Sequence, residues 1–117
     1  MKKILVADDE MSIRLLYSEE LKEEGYEVYQ AANGREALEI VEKVPLDLVI
    51  LDIKMPEMDG IEALRQIKEK QPDLPVLLST AYGEYRQDFA TWASDEYLVK
   101  SSNLEDLKSA VKRYLKE

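Results

Sequence analysis

Leu48-Val49-Ile50-Leu51-Asp52-Ile53-Lys54-Met55-Pro56-Glu57-Met58-Asp59-Gly60 begins as an unbroken apolar run and then breaks on an aspartate. A run of this length is strand-sized, and a strand that is apolar on both faces belongs in the middle of a sheet covered on both sides. Ile4 to Ala7 is a second run of the same kind, and it ends in Asp8-Asp9. Working outward from these two, candidate strands fall at Lys3 to Ala7, Tyr26 to Gln30, Asp47 to Leu51, Pro75 to Ser79 and Glu96 to Val99. Helical stripes lie between and after them: Ile13, Leu16, Tyr17, Leu21; Ala37, Ile40, Val41, Val44; Ile61, Leu64, Ile67; Tyr85, Phe89, Trp92; and Leu104, Leu107, Val111, Leu115. Asn33 with Glu36, Asp59 with Glu62 and Ser102 with Glu105 stand at capping-box spacing, while Gly25, Pro45 and Pro72 provide stops. Strict alternation of five strands with five helices predicts an α/β domain, a doubly wound parallel sheet in the order 2-1-3-4-5. Tyr26 to Gln30 alternates as an edge strand does.

Composition narrows the chemistry. The chain has 117 residues, 25 acidic against 16 basic side chains, a formal net charge of -9, and neither histidine nor cysteine. One domain over residues 1–117 is expected, with no repeat, no linker and no room for an effector domain after the fifth helix. The negative charge opposes contact with a phosphate backbone, so no direct nucleic-acid partner is expected. Without cysteine or histidine there is no disulfide, thiolate nucleophile, zinc knuckle, imidazole metal site or serine triad. No apolar run approaches the roughly 20 residues that span a bilayer. Met1-Lys2-Lys3 and the short run after it lack the apolar core of a signal peptide, so a cytoplasmic location is expected.

Ligands of open parallel sheets bind beyond the carboxyl ends of the strands, where the winding reverses. Here those ends supply Asp8-Asp9, Asp52, Ser79-Thr80 and Lys100. Carboxylates crowded together repel unless a cation sits among them, and a hard ion such as Mg2+, held by one or two carboxylates plus water and phosphoryl oxygen, suits this set. Phosphoryl transfer to an aspartate is chemistry such a site can perform. Taken singly, each residue also has a plainer explanation: Asp-Asp as turn or cap, Asp52 as a turn before Met55-Pro56, Lys100 as a solvated strand end. Their falling together at four strand ends favours the site.

Ile4-Leu5-Val6-Ala7-Asp8-Asp9-Glu10, the stretch from Leu48 to Gly60, Leu77-Leu78-Ser79-Thr80-Ala81-Tyr82 and Tyr97-Leu98-Val99-Lys100 together resemble the receiver domain of two-component response regulators, over the whole chain. The resemblance implies a flavodoxin-like fold and a signalling domain, not an enzyme beyond self-phosphorylation from a donor and self-dephosphorylation. It implies that Asp52 accepts a phosphoryl group from a sensor histidine kinase or phosphotransfer protein, with Mg2+ as cofactor and Mn2+ able to substitute. Asp9, Asp52 and the Lys54 main-chain carbonyl would ligate the ion, and Asp8 would act mainly through a bound water. Lys100 and Thr80 would hold phosphoryl oxygens, and Thr80 with Tyr97 would form the switch that alters the face of the fourth helix, fifth strand and fifth helix toward a downstream protein. A monomer or a weak phosphorylation-dependent dimer is expected. Because the chain has no histidine, the phosphoryl group must come from another protein.

The family usually has a cis proline after the strand-five lysine; here Ser101 follows Lys100, and a trans bond is expected, since cis before a non-proline costs about 2.5 to 4 kcal/mol. Tyr85, Phe89 and Trp92 read as core, or alternatively as an exposed aromatic partner surface. Lys54 and Tyr82 flank the site, where long side chains would hinder attacking water and lengthen the phosphorylated lifetime. Three rivals remain. An aspartate-nucleophile phosphatase of the haloacid dehalogenase type wants an Asp-x-Asp pattern that Ala7-Asp8-Asp9-Glu10 lacks, and a flavodoxin wants a hydroxyl-rich phosphate loop there. A non-phosphorylated interaction module of the same fold is the third.

Overall fold

The computed structural model describes residues 1–80, 95–99 and 104–116. Its elements in chain order are β1 (Lys3–Ala7), α1 (Met11–Glu23), β2 (Glu27–Ala31), α2 (Gly34–Lys43), β3 (Leu48–Asp52), α3 (Gly60–Lys70), β4 (Val76–Thr80), β5 (Glu96–Val99) and α4 (Glu105–Leu115). The five strands form one sheet, all neighbours parallel, in the order β2-β1-β3-β4-β5. This is the expected winding. The expected helix over Tyr85 to Trp92, and with it the question of aromatic exposure, lies outside the described residues, as do Tyr82, Lys100, the Lys100–Ser101 bond and Ser102.

The pleat explains the continuous apolar strands. Alternate residues of β1 point to opposite faces. Leu5 and Ala7 join Val49, Leu51 and Leu78 in one core cluster that takes Val41 from α2 and Leu64 and Ile67 from α3. Ile4 and Val6 join Leu48, Ile50 and Leu77 in the other, closed by Tyr17 and Leu21 of α1 and by Leu107, Val111 and Leu115 of α4. Each fully buried aliphatic side chain contributes about 1.5 to 3 kcal/mol, so a central strand apolar on one side only would leave one helical layer unanchored. β2 lies at the edge, as expected, and is mostly half-buried without the alternation of its sequence.

The helix boundaries follow local chemistry. Asn33 Oδ1 accepts from the Glu36 amide at 2.8 Å and Asp59 Oδ1 from the Glu62 amide at 2.9 Å, so both expected caps form. The return half of the box does not close as expected: Glu36 accepts from the Ala32 amide at 2.8 Å, and Glu62 turns to Arg65 and Gln66. Gly25, at φ 98, ends α1, while Pro45 and Pro72 follow the caps of α2 and α3. Three expectations are corrected. α4 opens at Glu105 with Leu104 in the capping position, not with Ser102. β2, β3 and β4 each sit one residue later than the expected Tyr26, Asp47 and Pro75 starts. Leu16 is 46% exposed and not part of the buried stripe of α1. The window Ile13 to Tyr17 offers more apolar residues than one face can bury, and the face that packs carries Tyr17, Ser18 and Leu21 instead.

Ser18 is completely buried, and its hydroxyl has no hydrogen-bond partner among the described residues. An unpaired buried hydroxyl costs roughly 1 to 3 kcal/mol, and alanine is the better helix former. Ser18→Ala is therefore expected to stabilise the fold by about 1 kcal/mol, read as a raised urea midpoint with an unchanged slope.

Candidate functional site

The reversal of winding falls between β1 and β3, which pair with Ala7 opposite Leu51. The residues that leave this pairing are Asp8 and Asp52, and Asp9 follows. Their carboxylate oxygens come together: one from each of Asp8, Asp9 and Asp52 lie within 4.8 Å of one another. Asp8 and Asp52 are only 2% and 7% exposed, whereas Asp9 faces solvent. The cluster thus has a protein-enclosed floor and one open side.

Backbone and side-chain bonds fix Asp8 in place. Its amide donates to the Ala31 carbonyl at 3.0 Å, which extends the β1–β2 ladder by one rung. Its Oδ1 accepts from the Glu10 amide at 2.9 Å, the turn by which a short carboxylate closes on the chain two residues ahead. Its carbonyl accepts from Arg14 Nη1 at 2.7 Å, and Arg14 Nε reaches Gln30 Oε1 at 3.3 Å. Arg14 therefore ties α1 and β2 to the first acidic residue. No spacing rule flags it, because its partners are a main-chain oxygen and a side chain on another strand.

Asp52 closes β3 and pairs in register with Ser79 of β4. Beyond it the in-out alternation persists for four residues: Ile53 and Met55 are buried, Lys54 and Pro56 exposed. The loop then returns sharply. The Gly60 amide donates to the Ile53 carbonyl at 2.7 Å, and a Cβ at Gly60 would stand 1.9 Å from the Asp52 carbonyl oxygen. Only glycine lets α3 start this close to the backbone of Asp52. Asp9, Lys54, Met55, Pro56 and Asp59 line an open groove of about 550 Å³ that continues outward from the cluster.

Thr80 ends β4 opposite Val99 of β5, and Tyr97 stands opposite Leu78; both residues are placed here by their backbone. Lys100, next after Val99, lies outside the described residues. Of the expected site, Asp8, Asp9 and Asp52 are brought together and Lys54 lies on the adjoining groove. Sequence reasoning missed the exposed apolar residues Met11, Leu15 and Leu16, 62%, 44% and 46% exposed on the helix that follows the Asp8-Asp9 corner. The signal was the surplus of apolar residues in that window.

The donor set suits a hard divalent ion. Ligand oxygens at about 2.1 Å from an octahedral ion stand roughly 3.0 Å apart when adjacent and 4.2 Å when opposite, and a spread of 4.8 Å closes onto that geometry with small side-chain rotations.

Comparison with known proteins agrees with this geometry. The family model for the response regulator receiver domain matches residues 4–112. Sporulation initiation phosphotransferase F of Bacillus subtilis is 42% identical over 116 residues, which cover 97% of this chain and 94% of that protein. Regulatory protein AtoC of Escherichia coli is 36% identical over 117 residues, 98% of this chain but 25% of that protein. Among solved structures, response regulator protein TrrA of Thermotoga maritima in complex with Mg2+-BeF is 52% identical, with a TM-score of 0.96 over 98% of this chain and 100% of that one. A structure of the histidine kinase ThkA in complex with TrrA matches with a TM-score of 0.92, at 52% identity, over 98% of this chain and 99% of that one. With a receiver model matched over nearly its whole length and relatives of this identity, the chain belongs to the response regulator receiver domain family.

Proposed function

We propose that Asp52 is the phosphoacceptor and that Asp8, Asp9, Asp52 and the Lys54 main-chain carbonyl hold Mg2+, with Mn2+ able to substitute. The gathering of three carboxylates at two adjacent strand ends, within 4.8 Å, carries this reading. The Mg2+-BeF complex of TrrA supports it by likeness. The ion offsets the charge that accumulates where an anionic phosphoryl group meets anionic side chains.

The residues divide the remaining work. A carboxylate oxygen of Asp52 attacks phosphorus; the phosphorus–nitrogen bond of a donor phosphohistidine breaks, its electron pair stays on the imidazole, and that nitrogen takes up a proton. Burial of Asp52 and Asp8 limits the water that competes with the donor, while the solvent-facing side at Asp9 and the groove admits it. Lys100 and the Thr80 hydroxyl bind phosphoryl oxygens, and Thr80 with Tyr97 passes the change to the β4–β5 edge. The product is a modified protein and not a released compound, so the chain signals without turning over a substrate of its own.

The donor is a histidine kinase or phosphotransfer protein, a reading supported by the ThkA complex of TrrA. It docks on Met11, Leu15 and Leu16, a solvent-facing apolar strip that starts three residues after Asp8. The downstream partner is a protein that reads the β5–α4 side.

Two outcomes check this. With Mg2+ and acetyl phosphate, intact-mass spectrometry is expected to find one added phosphoryl group on the wild type, none after chelation and none on Asp52→Asn; addition that persists in Asp52→Asn would contradict the assignment. Leu15→Glu is expected to slow transfer from a phosphorylated histidine kinase by about tenfold or more, the effect of losing roughly 1.4 kcal/mol of docking, while leaving labelling by acetyl phosphate unchanged. Equal slowing of both reactions would remove α1 as the docking surface.

A further inference from the structure

The loop that follows Asp52 is also held from the side away from the acidic cluster. Asn33, 9% exposed at the start of α2, uses both ends of its amide. Its Oδ1 caps the helix, and its Nδ2 donates to Glu57 Oε2 at 2.9 Å, a contact between residues 24 positions apart. The next residue adds a second tie: the Gly34 amide donates to the Met58 carbonyl at 3.0 Å. A Cβ at Gly34 would stand 2.3 Å from that oxygen, so the approach requires glycine.

Glu57 itself sits in the left-handed region, at φ 66. A side chain with a Cβ is strained there, and such strain persists only where the surroundings over-determine the backbone. Here the surroundings are Asn33 and Gly34. Ile53 and Met55 are already anchored in the core, Met58 packs half-buried against it, and Gly60 is anchored on Ile53, which leaves Pro56 and Glu57 at the tip of the loop as the part that needs an outside hold. Glutamate supplies a charge-assisted acceptor for the nearly buried Asn33 amide, which a glycine at the same φ would not.

We propose that Asn33 and Glu57 form a latch that sets the conformation of the loop between Asp52 and Gly60, and through it the affinity for magnesium, so that both are positioning residues for phosphoryl transfer. The latch rests on the magnesium site proposed above. Neither residue touches the ion; they act by fixing the backbone from which the Lys54 carbonyl is presented. The β2–α2 corner thereby becomes part of the phosphorylation site although none of its side chains belongs to the acidic cluster.

The test is calorimetric titration of Mg2+ into the full chain, with thermal unfolding alongside. Asn33→Asp keeps the helix cap but replaces the donating amide with a carboxylate facing Glu57. The latch predicts Mg2+ binding weaker by roughly threefold to tenfold, less than the loss typical of a ligand's direct partner. Added negative charge alone would tighten binding, so the sign separates the two explanations. Glu57→Gln keeps an acceptor for Asn33 and is expected to stay within about twofold of the wild type, a rescue relative to Glu57→Gly, which relieves the backbone strain yet loses the affinity without losing thermal stability. Asn33→Asp binding as tightly as the wild type, or Glu57→Gln falling as far as Glu57→Gly, would overturn the latch while leaving the magnesium site standing. A wild type that takes up no Mg2+ would overturn both.

Discussion

The parallel pairing of β1 with β3 is the constraint on which the site depends. Because Ala7 lies opposite Leu51, the next residue of each strand emerges at the same level, and two carboxylates are delivered side by side at the point where the winding changes hand. That delivery is unfavourable in isolation, since like charges are brought together in partly buried surroundings. The cost is carried by the double-sided apolar core, which fixes the strand register: a slip by one residue would turn the Leu5 and Leu51 layer toward α1 and α4 and the Ile4 and Ile50 layer toward α2 and α3, each against helices packed for the other. Function here is held in place by packing that has no chemistry of its own.

Around this centre the loops are arranged to approach closely. Gly60 lets α3 begin against the backbone of Asp52, and Gly34 lets α2 begin against Met58, so the chain that follows Asp52 is fixed between two helix starts. Arg14 does the corresponding work for β1 by holding the Asp8 carbonyl. The surface charge has a different part. Glu62 with Arg65, Glu42 with Lys70, and Lys108 with Glu20 are exposed or half-exposed pairs. Hydrogen bonding by Arg65 and by Lys70 holds the Glu62 and Glu42 carboxyls below their ordinary range, so their small contribution is present above that range and is lost as pH falls from it through the lowered values. Many of the acids are therefore solvated helix surface, and three gather at the strand ends.

Much of this was legible in the sequence because it is encoded locally. Period-two and period-3.6 patterns located the strands and helices, and β1 and β5 were placed to the residue. β2, β3 and β4 were each set one residue early because Tyr26, Asp47 and Pro75 directly abut the runs that form the strands but serve the approach to the sheet: Tyr26 is buried before β2, Asp47 accepts from the Lys3 amide at 2.8 Å, and the Pro75 carbonyl accepts from Val49 at 3.0 Å. Asp8, Asp9 and Asp52 were legible from strand ends and topology alone. Leu16 was misassigned because amphipathic counting cannot choose among adjacent leucines. The link from Asn33 to Glu57 was invisible for another reason: its spacing of 24 residues carries no periodic signal, and only the packed corner brings the two together.

The most direct measurement is a crystal structure of the chain with Mg2+ and beryllofluoride, which mimics a phosphoryl group on a carboxylate. The account predicts beryllium on an Asp52 carboxylate oxygen, and the ion about 2.0 to 2.1 Å from oxygens of Asp9, Asp52 and the Lys54 main chain. Beryllofluoride on another residue, or an ion held without Asp52, would contradict it.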